Sequence, residues 1–234
     1  INDTSYLKEN ILLKIKIEKL QRQVDNAPYE YGNSPVKIKP AKDLLEKIID
    51  KKCSLCRFGD GEFGFILKQN RLWYQKYDIK MAQKLENILK SDNEKILIAI
   101  ADNYGSLDKY NDRAADEIRQ YMTKEKRQEH MGLLDLSRQY YDAYVSRPYM
   151  IYKDKERNAS EIFKLYKKLF RDRNILIIEG ENTKTGVNNG LLDGANSIKR
   201  ILCPDTNAYS VYDKILNKTI ESASSDDLIL IILG

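Results

Sequence analysis

The sequence predicts an α/β fold built on a mainly parallel sheet. Short apolar runs alternate with helical patterns along the chain, the arrangement that places helices against the faces of parallel strands. Two runs, Ile-Leu-Ile-Ala-Ile at 96–100 and Leu-Ile-Leu-Ile-Ile-Leu at 228–233, are apolar at every position. Strands buried on both faces tend to read that way.

The elements follow in order. Leu7, Ile11 and Ile15 recur every four residues, with Leu12, Leu20 and Val24 nearby, and this predicts an amphipathic helix over about residues 5–24. Residues 25–35 carry two prolines and a Gly-Asn-Ser triplet, which reads as a loop or linker. Residues 1–36 are therefore expected to be a helical extension and linker, and 37–234 the main domain. The helix has three candidate partners: the main body, a second copy of the chain, or an upstream domain. A second helix is predicted over 40–50, with Leu44, Leu45, Ile48 and Ile49 as its inner face. Strands are expected at 54–58, 96–101, 174–178, 198–203 and 227–233, and helices at 112–129, 158–170 and 209–222. The last half then reads as strand, helix, strand, helix, strand. A sheet seldom closes on a bare central strand, so natural sequence is expected beyond Gly234. The absence of an initiator Met likewise suggests that the chain begins inside a longer one.

Composition narrows the function classes. A hydrophobic fraction of 42% is that of a folded domain rather than a disordered one. The 40 basic residues nearly balance 35 acidic ones, and a net charge of +5 suits an anionic ligand. It falls short of a nucleic-acid footprint, and no RNA-binding signature is present. No apolar run reaches membrane-spanning length, and the stretch that begins Ile1-Asn2-Asp3-Thr4 does not read as a signal peptide. Three cysteines are an odd set, which argues against a disulfide framework and for a reducing, cytoplasmic setting. Cys53 and Cys56 have the C-x-x-C spacing, but Cys203 and the single histidine, His130, do not complete a zinc site. Two buried strand cysteines are the better reading.

The chemistry is concentrated in Arg57-Phe58-Gly59-Asp60-Gly61-Glu62-Phe63, where a strand should hand over to a helix. Asp60 and Glu62 are hard oxygen ligands suited to Mg²⁺ or Mn²⁺. Gly59 and Gly61 let backbone approach a phosphate closely. Arg57 offers a planar fork of donors to the same anion. The blander alternative is a solvated Asp-Gly turn in which Asp60 caps the next helix. A second polar loop, residues 179–190, follows the strand at 174–178 and carries Gly180, Gly186 and Gly190. It matches neither the dinucleotide nor the P-loop fingerprint. A ligand loop and a plain surface loop are equally good readings of it. Ligands in open α/β sheets bind beyond the carboxyl ends of strands, so both loops are expected at one crevice. His130 lacks a catalytic partner motif and reads as a surface or helix-end residue. Among the 16 tyrosines, Tyr104, Tyr149 and Tyr152 lie near strand-end or loop signals.

Five segments in order then carry a family resemblance. They are residues 57–62, Ser146-Arg147-Pro148-Tyr149, Ile177-Ile178-Glu179-Gly180-Glu181, Gly186-Val187-Asn188-Asn189 with Leu192-Asp193, and residues 197–204 with Asn207-Ala208-Tyr209. The series resembles the bacterial GT-D-type glycosyltransferases, which include enzymes that extend glycans on serine-rich-repeat adhesins. The resemblance covers residues 37–234. It implies a Rossmann-like sheet flanked by helices, a UDP-sugar donor (commonly UDP-glucose), a glycan or glycoprotein acceptor, and Mn²⁺ or Mg²⁺. It maps the family's Asp-x-Glu motif onto Asp60 and Glu62. Family members usually continue into a tail bearing a His and acidic residues that help hold the metal, and that tail is expected beyond Gly234.

The expected function is metal-dependent transfer of a hexose from a UDP-sugar to an acceptor hydroxyl. Asp60 and Glu62 would hold the metal and act as the catalytic pair. Arg57, Gly59, Gly61, Glu181, Gly186, Asn188 and Asn189 would bind the nucleotide sugar. A metal-dependent nucleotidyl- or phosphotransferase and a non-catalytic nucleotide-sugar-binding module are the alternatives.

Overall fold

Two parallel sheets and the helices packed on their faces make up the chain, seen here in a computed structural model that describes residues 3–69 and 74–233. The first half runs α1 (Asp3–Glu30), β1 (Lys37–Lys39), α2 (Ala41–Lys51), β2 (Ser54–Phe58), α3 (Asp60–Ile66), α4 (Ile79–Leu89) and β3 (Ile96–Ile100). It continues through α5 (Asp112–Tyr121), α6 (Lys124–Leu133), β4 (Gln139–Asp142), a 3₁₀ turn at Ala143–Ser146, and α7 (Lys155–Phe170). The second half has β5 (Asn174–Gly180), β6 (Ser197–Cys203), a 3₁₀ turn at Ala208–Val211, α8 (Tyr212–Ser222) and β7 (Leu228–Ile232). The first sheet has the order β1-β4-β3-β2 and the second β6-β5-β7. Every pairing in both is parallel.

Side-chain alternation explains the layers. In β3, Ile98 and Ile100 face one core with Phe58, Phe63, Leu89, Ile118 and Met122, while Leu97 and Ala99 face another with Leu44, Leu45, Ile48 and Ile162. Helices α3, α4 and α5 thus cover one side of the first sheet, and α2 and α7 the other. In the second sheet Ile175 and Ile177 meet Phe170 of α7, while Leu176 and Ile178 meet Ile215 of α8. Helix α7 therefore belongs to the cores of both sheets; its Tyr166 touches each and donates its hydroxyl to the Val145 carbonyl at 3.0 Å.

The predicted strands at 54–58, 96–101, 174–178, 198–203 and 227–233 are present with shifts of two residues or fewer at their ends. Two strands lacked a pattern. β1 has three residues, and β4 reads Gln-Tyr-Tyr-Asp, yet Tyr140 and Tyr141 are buried in the cores on opposite faces of the sheet. The helix expected over 112–129 is two helices, because the Thr123 hydroxyl accepts the Lys126 N–H at 3.3 Å and caps a new start. Helix α4 begins where the Asp78 carboxylate accepts the Lys80 and Met81 N–H groups.

Three expectations need correction. No helix separates β5 from β6; residues 181–196 form turns. β7 is an edge strand among the described residues, with Ile231 69% exposed, so its apolar run does not mark a central strand. Cys53 and Cys56 are half-buried rather than buried.

The N-terminal helix also departs from its reading. It runs on to Glu30 through Pro28 because polar side chains dock its last turns. Arg22 pairs with Asp116 at 3.0 Å, and Arg119 grips Glu30 through two bonds of 2.6 and 2.8 Å. Asn26 donates to the Arg22 carbonyl and accepts from the buried Arg127 guanidinium at 2.9 Å. The apolar residues of the expected inner stripe, Leu7, Ile11, Leu12, Ile15, Leu20 and Val24, are all exposed. No described helix is long and apolar enough to cross a membrane.

Candidate functional site

The Arg57–Glu62 run does hand a strand over to a helix. Gly59 leaves β2 with φ −105° and ψ −168°, and α3 begins at Asp60. The Glu62 carboxylate turns back to accept the Gly59 N–H at 2.6 Å, closing one half of a capping box. Asp60, at the first helical position, is exposed. Arg57 donates its Nε–H to the Ala143 carbonyl at 3.0 Å, and its guanidinium lies over Gly59. A Cβ on Gly59 would stand 3.3 Å from both Arg57 Nη1 and Glu62 Oε2, so glycine gives these two side chains their places. Gly61 is half-buried in the first turn of α3.

A cavity of about 340 Å³ opens beside this turn, with Arg57, Gly59, Asp60 and Arg147 among its lining. Its walls come from the carboxyl end of β3 (Ala101, Asn103, Tyr104), from α5 (Glu117, Ile118, Tyr121), and from Phe63, His130 and Tyr144. Tyr144 donates its hydroxyl to Asn103 Oδ1 at 3.0 Å, and the Asn103 carbonyl in turn accepts from Arg127 at 2.9 Å. Burial, with Asp142 and Asp60 adding to it, pushes the Tyr144 phenol up to about 12. Behind the wall, buried Asp142 accepts from the Tyr152 hydroxyl at 2.6 Å and from the Tyr144 N–H at 2.9 Å. Desolvation holds its pKa above the usual carboxylate range.

His130 is in the last turn of α6, as a helix-end residue should be, but it is buried rather than at the surface. Its ring stacks on Phe63 with centroids 4.2 Å apart, and its two nitrogens face the hydroxyls of Tyr104 at 2.9 Å and Tyr121 at 3.3 Å. A neutral ring donates from one nitrogen and accepts at the other, so the two phenols satisfy either tautomer. Burial lowers its pKa to about 4, with the Lys126 charge helping. The unfolded chain therefore takes up a proton near pH 6.5 that the folded chain refuses until about pH 4. This contribution is complete above pH 6.5 and is lost as pH falls from 6.5 to 4, on the order of 3 kcal/mol in all. Chemical denaturation across that range should show the stability gap between wild type and His130→Gln shrinking as pH falls. A constant gap would remove the histidine from the acid response.

The second predicted loop is built by local turn chemistry. Gly186 has φ +71°, and a Cβ there would meet Leu192 at 2.4 Å. Asn188 is left-handed at φ +57°, and Asn189 accepts the Leu191 N–H at 3.1 Å. Glu181 is exposed and donates its backbone N–H to the Cys203 carbonyl at 3.0 Å. Glu179 is 0% exposed; it pairs with Arg200 and accepts the Thr185 N–H at 3.1 Å, which anchors the base of the loop. None of the described lining of the 340 Å³ cavity comes from residues 179–190, so the two loops do not share it. They are linked through the loop after β6: Asp205 accepts from Asn182, and Asn207 donates to the Tyr74 carbonyl and accepts from Gln75. Burial raises the Tyr74 phenol pKa, and the charges of Glu62 and Asp60 add to the effect. Tyr104 lines the cavity, Tyr152 sits behind it on Asp142, and Tyr149 is exposed, in the stretch between the lining residues Arg147 and Met150.

Comparison with known proteins decides the family. The family model described as "Glycosyltransferase GT-D fold" matches residues 55–234, which includes β2 after Ser54, the Asp60 turn and every later element. The chain belongs to the GT-D-fold glycosyltransferases. It is 36% identical over 194 residues to "Probable glycosyl transferase Gly" of Streptococcus gordonii, covering 81% of this chain and 27% of that protein. It is 31% identical over 222 residues to "Glycosyltransferase GlyD" of Streptococcus pneumoniae serotype 4 (strain ATCC BAA-334 / TIGR4), covering 92% of this chain and 26% of that one. The chain thus spans about a quarter of the length of these curated relatives. Among solved structures, one described as "The highly conserved domain of unknown function 1792 has a distinct glycosyltransferase fold" superposes with a TM-score of 0.79 at 33% identity. It covers 86% of this chain and 71% of that one. Another, "A New Glycosyltransferase (DUF1792) from Streptococcus sanguinis", superposes with a TM-score of 0.78 at 30% identity, over 85% of this chain and 73% of that one.

In this GT-D domain Asn103, Tyr121, Tyr144 and Arg147 join the candidate site, and of these only Arg147 lies in one of the five segments that carry the resemblance. The signal for Asn103 was its place just past the β3 carboxyl end, where α/β sheets bind ligands.

Proposed function

We propose that this GT-D domain transfers a hexose, glucose in the leading case, from a UDP-sugar to an acceptor hydroxyl on a protein-linked or other glycan, with Mn²⁺ or Mg²⁺. The observation that carries this reading is one arrangement at the carboxyl end of β2: Asp60, the Arg57 fork and Gly59 open onto the same cavity. Three cysteines outside any disulfide fit a cytoplasmic setting.

The donor set fits a divalent cation of the kind shared with a substrate. Among the described residues no group of three or more His, Cys, Asp and Glu side chains gathers as a metal site. Two carboxylates with the rest of the shell from phosphate oxygens and water is the usual manner of Mg²⁺ in nucleotide enzymes. Asp60 would hold the ion, with the oxygen of Glu62 that does not cap Gly59. When bound, such an ion supplies Lewis-acid neutralisation of the diphosphate leaving group.

The chain's own side chains do the rest. Arg57, braced by the Ala143 carbonyl, keeps its terminal nitrogens for the diphosphate. Gly59 and Gly61 keep side-chain bulk away from it. As the bond from the sugar anomeric carbon to the phosphate oxygen breaks, a bond to the acceptor oxygen forms. Where the transfer inverts configuration, one carboxylate of the Asp60–Glu62 pair doubles as the base that receives the acceptor's proton. Glu181, Gly186, Asn188 and Asn189 lie outside that cavity, past the carboxyl end of β5, and are the candidates for ribose, base or sugar contacts by a donor that reaches across the Asp205–Asn207 loop.

Calorimetric titration of UDP-glucose, UDP-galactose and UDP-N-acetylglucosamine, each with and without Mn²⁺, tests the reading. UDP-glucose should bind tightest, and removal of Mn²⁺ should weaken it at least about tenfold. Binding indifferent to the ion would overturn the metal role, and no binding of any UDP-sugar would overturn the donor class.

A further inference from the structure

Helix α1 leaves its most regular apolar surface uncovered. The side chains that tie it to the body run from Arg22 to Glu30. On the helical wheel Arg22, Asn26 and Glu30 centre on one face, and Leu13, Ile17, Leu20 and Val24 lie roughly 145° away from it. Those four are 51%, 64%, 51% and 67% exposed. Their spacing alternates four and three, and the pattern extends from Tyr6 through Asn10 to Ala27. This is a heptad seam three repeats long, with Asn10, Ile17 and Val24 at a, and Tyr6, Leu13, Leu20 and Ala27 at d. A second group, Leu7, Ile11 and Ile15, steps by fours only, lasts two turns, and drifts off any straight partner.

We propose that α1 pairs with α1 of a second copy of this chain as a parallel, in-register coiled coil. The identity of the seam residues selects this occupant. β-branched residues at a with leucine at d favour two parallel strands, and one asparagine at a fixes register by facing its own counterpart. The flanks agree: in parallel register Glu9 at g meets Lys14 at e of the partner helix, an attractive pair. Pro28 ends the seam where the helix meets its own body. Because the docked face points away from the seam, two bodies fit on opposite sides of the pair without competing for α1.

Sedimentation equilibrium of the intact chain over about 1–100 μM should show mass rising to that of two chains. Leu13→Glu/Leu20→Glu should return it to one chain, with the near-UV spectrum of the body unchanged. Ile11→Lys/Ile15→Lys should leave the dimer intact. A chain that stays monomeric throughout, or a dimer that survives the first pair of substitutions or is lost with the second, overturns the proposal. Direction is read separately with Tyr6→Cys. Parallel chains hold the two sulfurs side by side and oxidise to a covalent dimer. Antiparallel chains separate them by tens of ångströms, since Tyr6 to Val24 spans about 27 Å, and absence of the crosslink would overturn the parallel arrangement.

Discussion

Asp60→Asn should lower sugar transfer at least about a hundredfold while the fold survives, the scale expected when a group that stabilises developing charge is removed. The side chain is exposed at the first position of a short helix, so its loss removes little packing. Its helix-end charge is worth no more than about 1 kcal/mol, or roughly 2–4 °C in melting temperature. UDP release from UDP-glucose in the presence of Mn²⁺ and acceptor gives the turnover, and calorimetry gives the melting point. Asp112→Asn is the matched control. It too removes an acid from a first helical turn, but at α5 and outside the lining of the cavity, and it should leave turnover as it was. Near-normal transfer by Asp60→Asn would remove the residue from the chemistry.

Arg127→Met should have the opposite profile, a large loss of stability. Arg127 is 1% exposed, and among the described residues its guanidinium bonds to neutral acceptors: the Met122 carbonyl at 3.2 Å, the Asn103 carbonyl at 2.9 Å and Asn26 Oδ1 at 2.9 Å. Tyr29 covers it with the ring centroid 4.5 Å away. Methionine fills part of the volume and leaves three buried acceptors short of a donor, a penalty of about 3 kcal/mol once the site relaxes. For a chain of this size the melting point should fall by about 10 °C. Because Asn26 belongs to α1 and Asn103 to the cavity wall, the substitution should also speed proteolysis at the end of α1. A melting point within about 2 °C of wild type would show that the acceptors find other donors.

How much of this was legible in the chain varies with the kind of signal. The runs that became β3 and β5 could be read because each holds at least four apolar residues in a row, as burial on both faces of an interior strand requires. The Asp60 turn could be read because strand, glycine, acid and helix follow one another locally. β4 could not, since Tyr140 and Tyr141 are apolar only in the sense that each finds its own core. The place of His130 depends on Phe63, Tyr104 and Tyr121, which come from three separate elements, so no local window holds the signal. The docking of α1 was hidden for a different reason: it is made by Arg22, Asn26 and Glu30, residues that a hydrophobic pattern assigns to water. The shared crevice expected for residues 57–62 and 179–190 assumed one continuous sheet, and the strands divide into two.

The double membership of α7 has a consequence for how the molecule comes apart. Ile162 is sealed into the packing beneath β3, and Phe170, two turns on, into that beneath β5. Neither half can shed the helix without stripping a wall from its neighbour. Heat or denaturant should therefore melt both halves in a single step, with slow amide exchange in β3 and β5 reporting one common opening reaction.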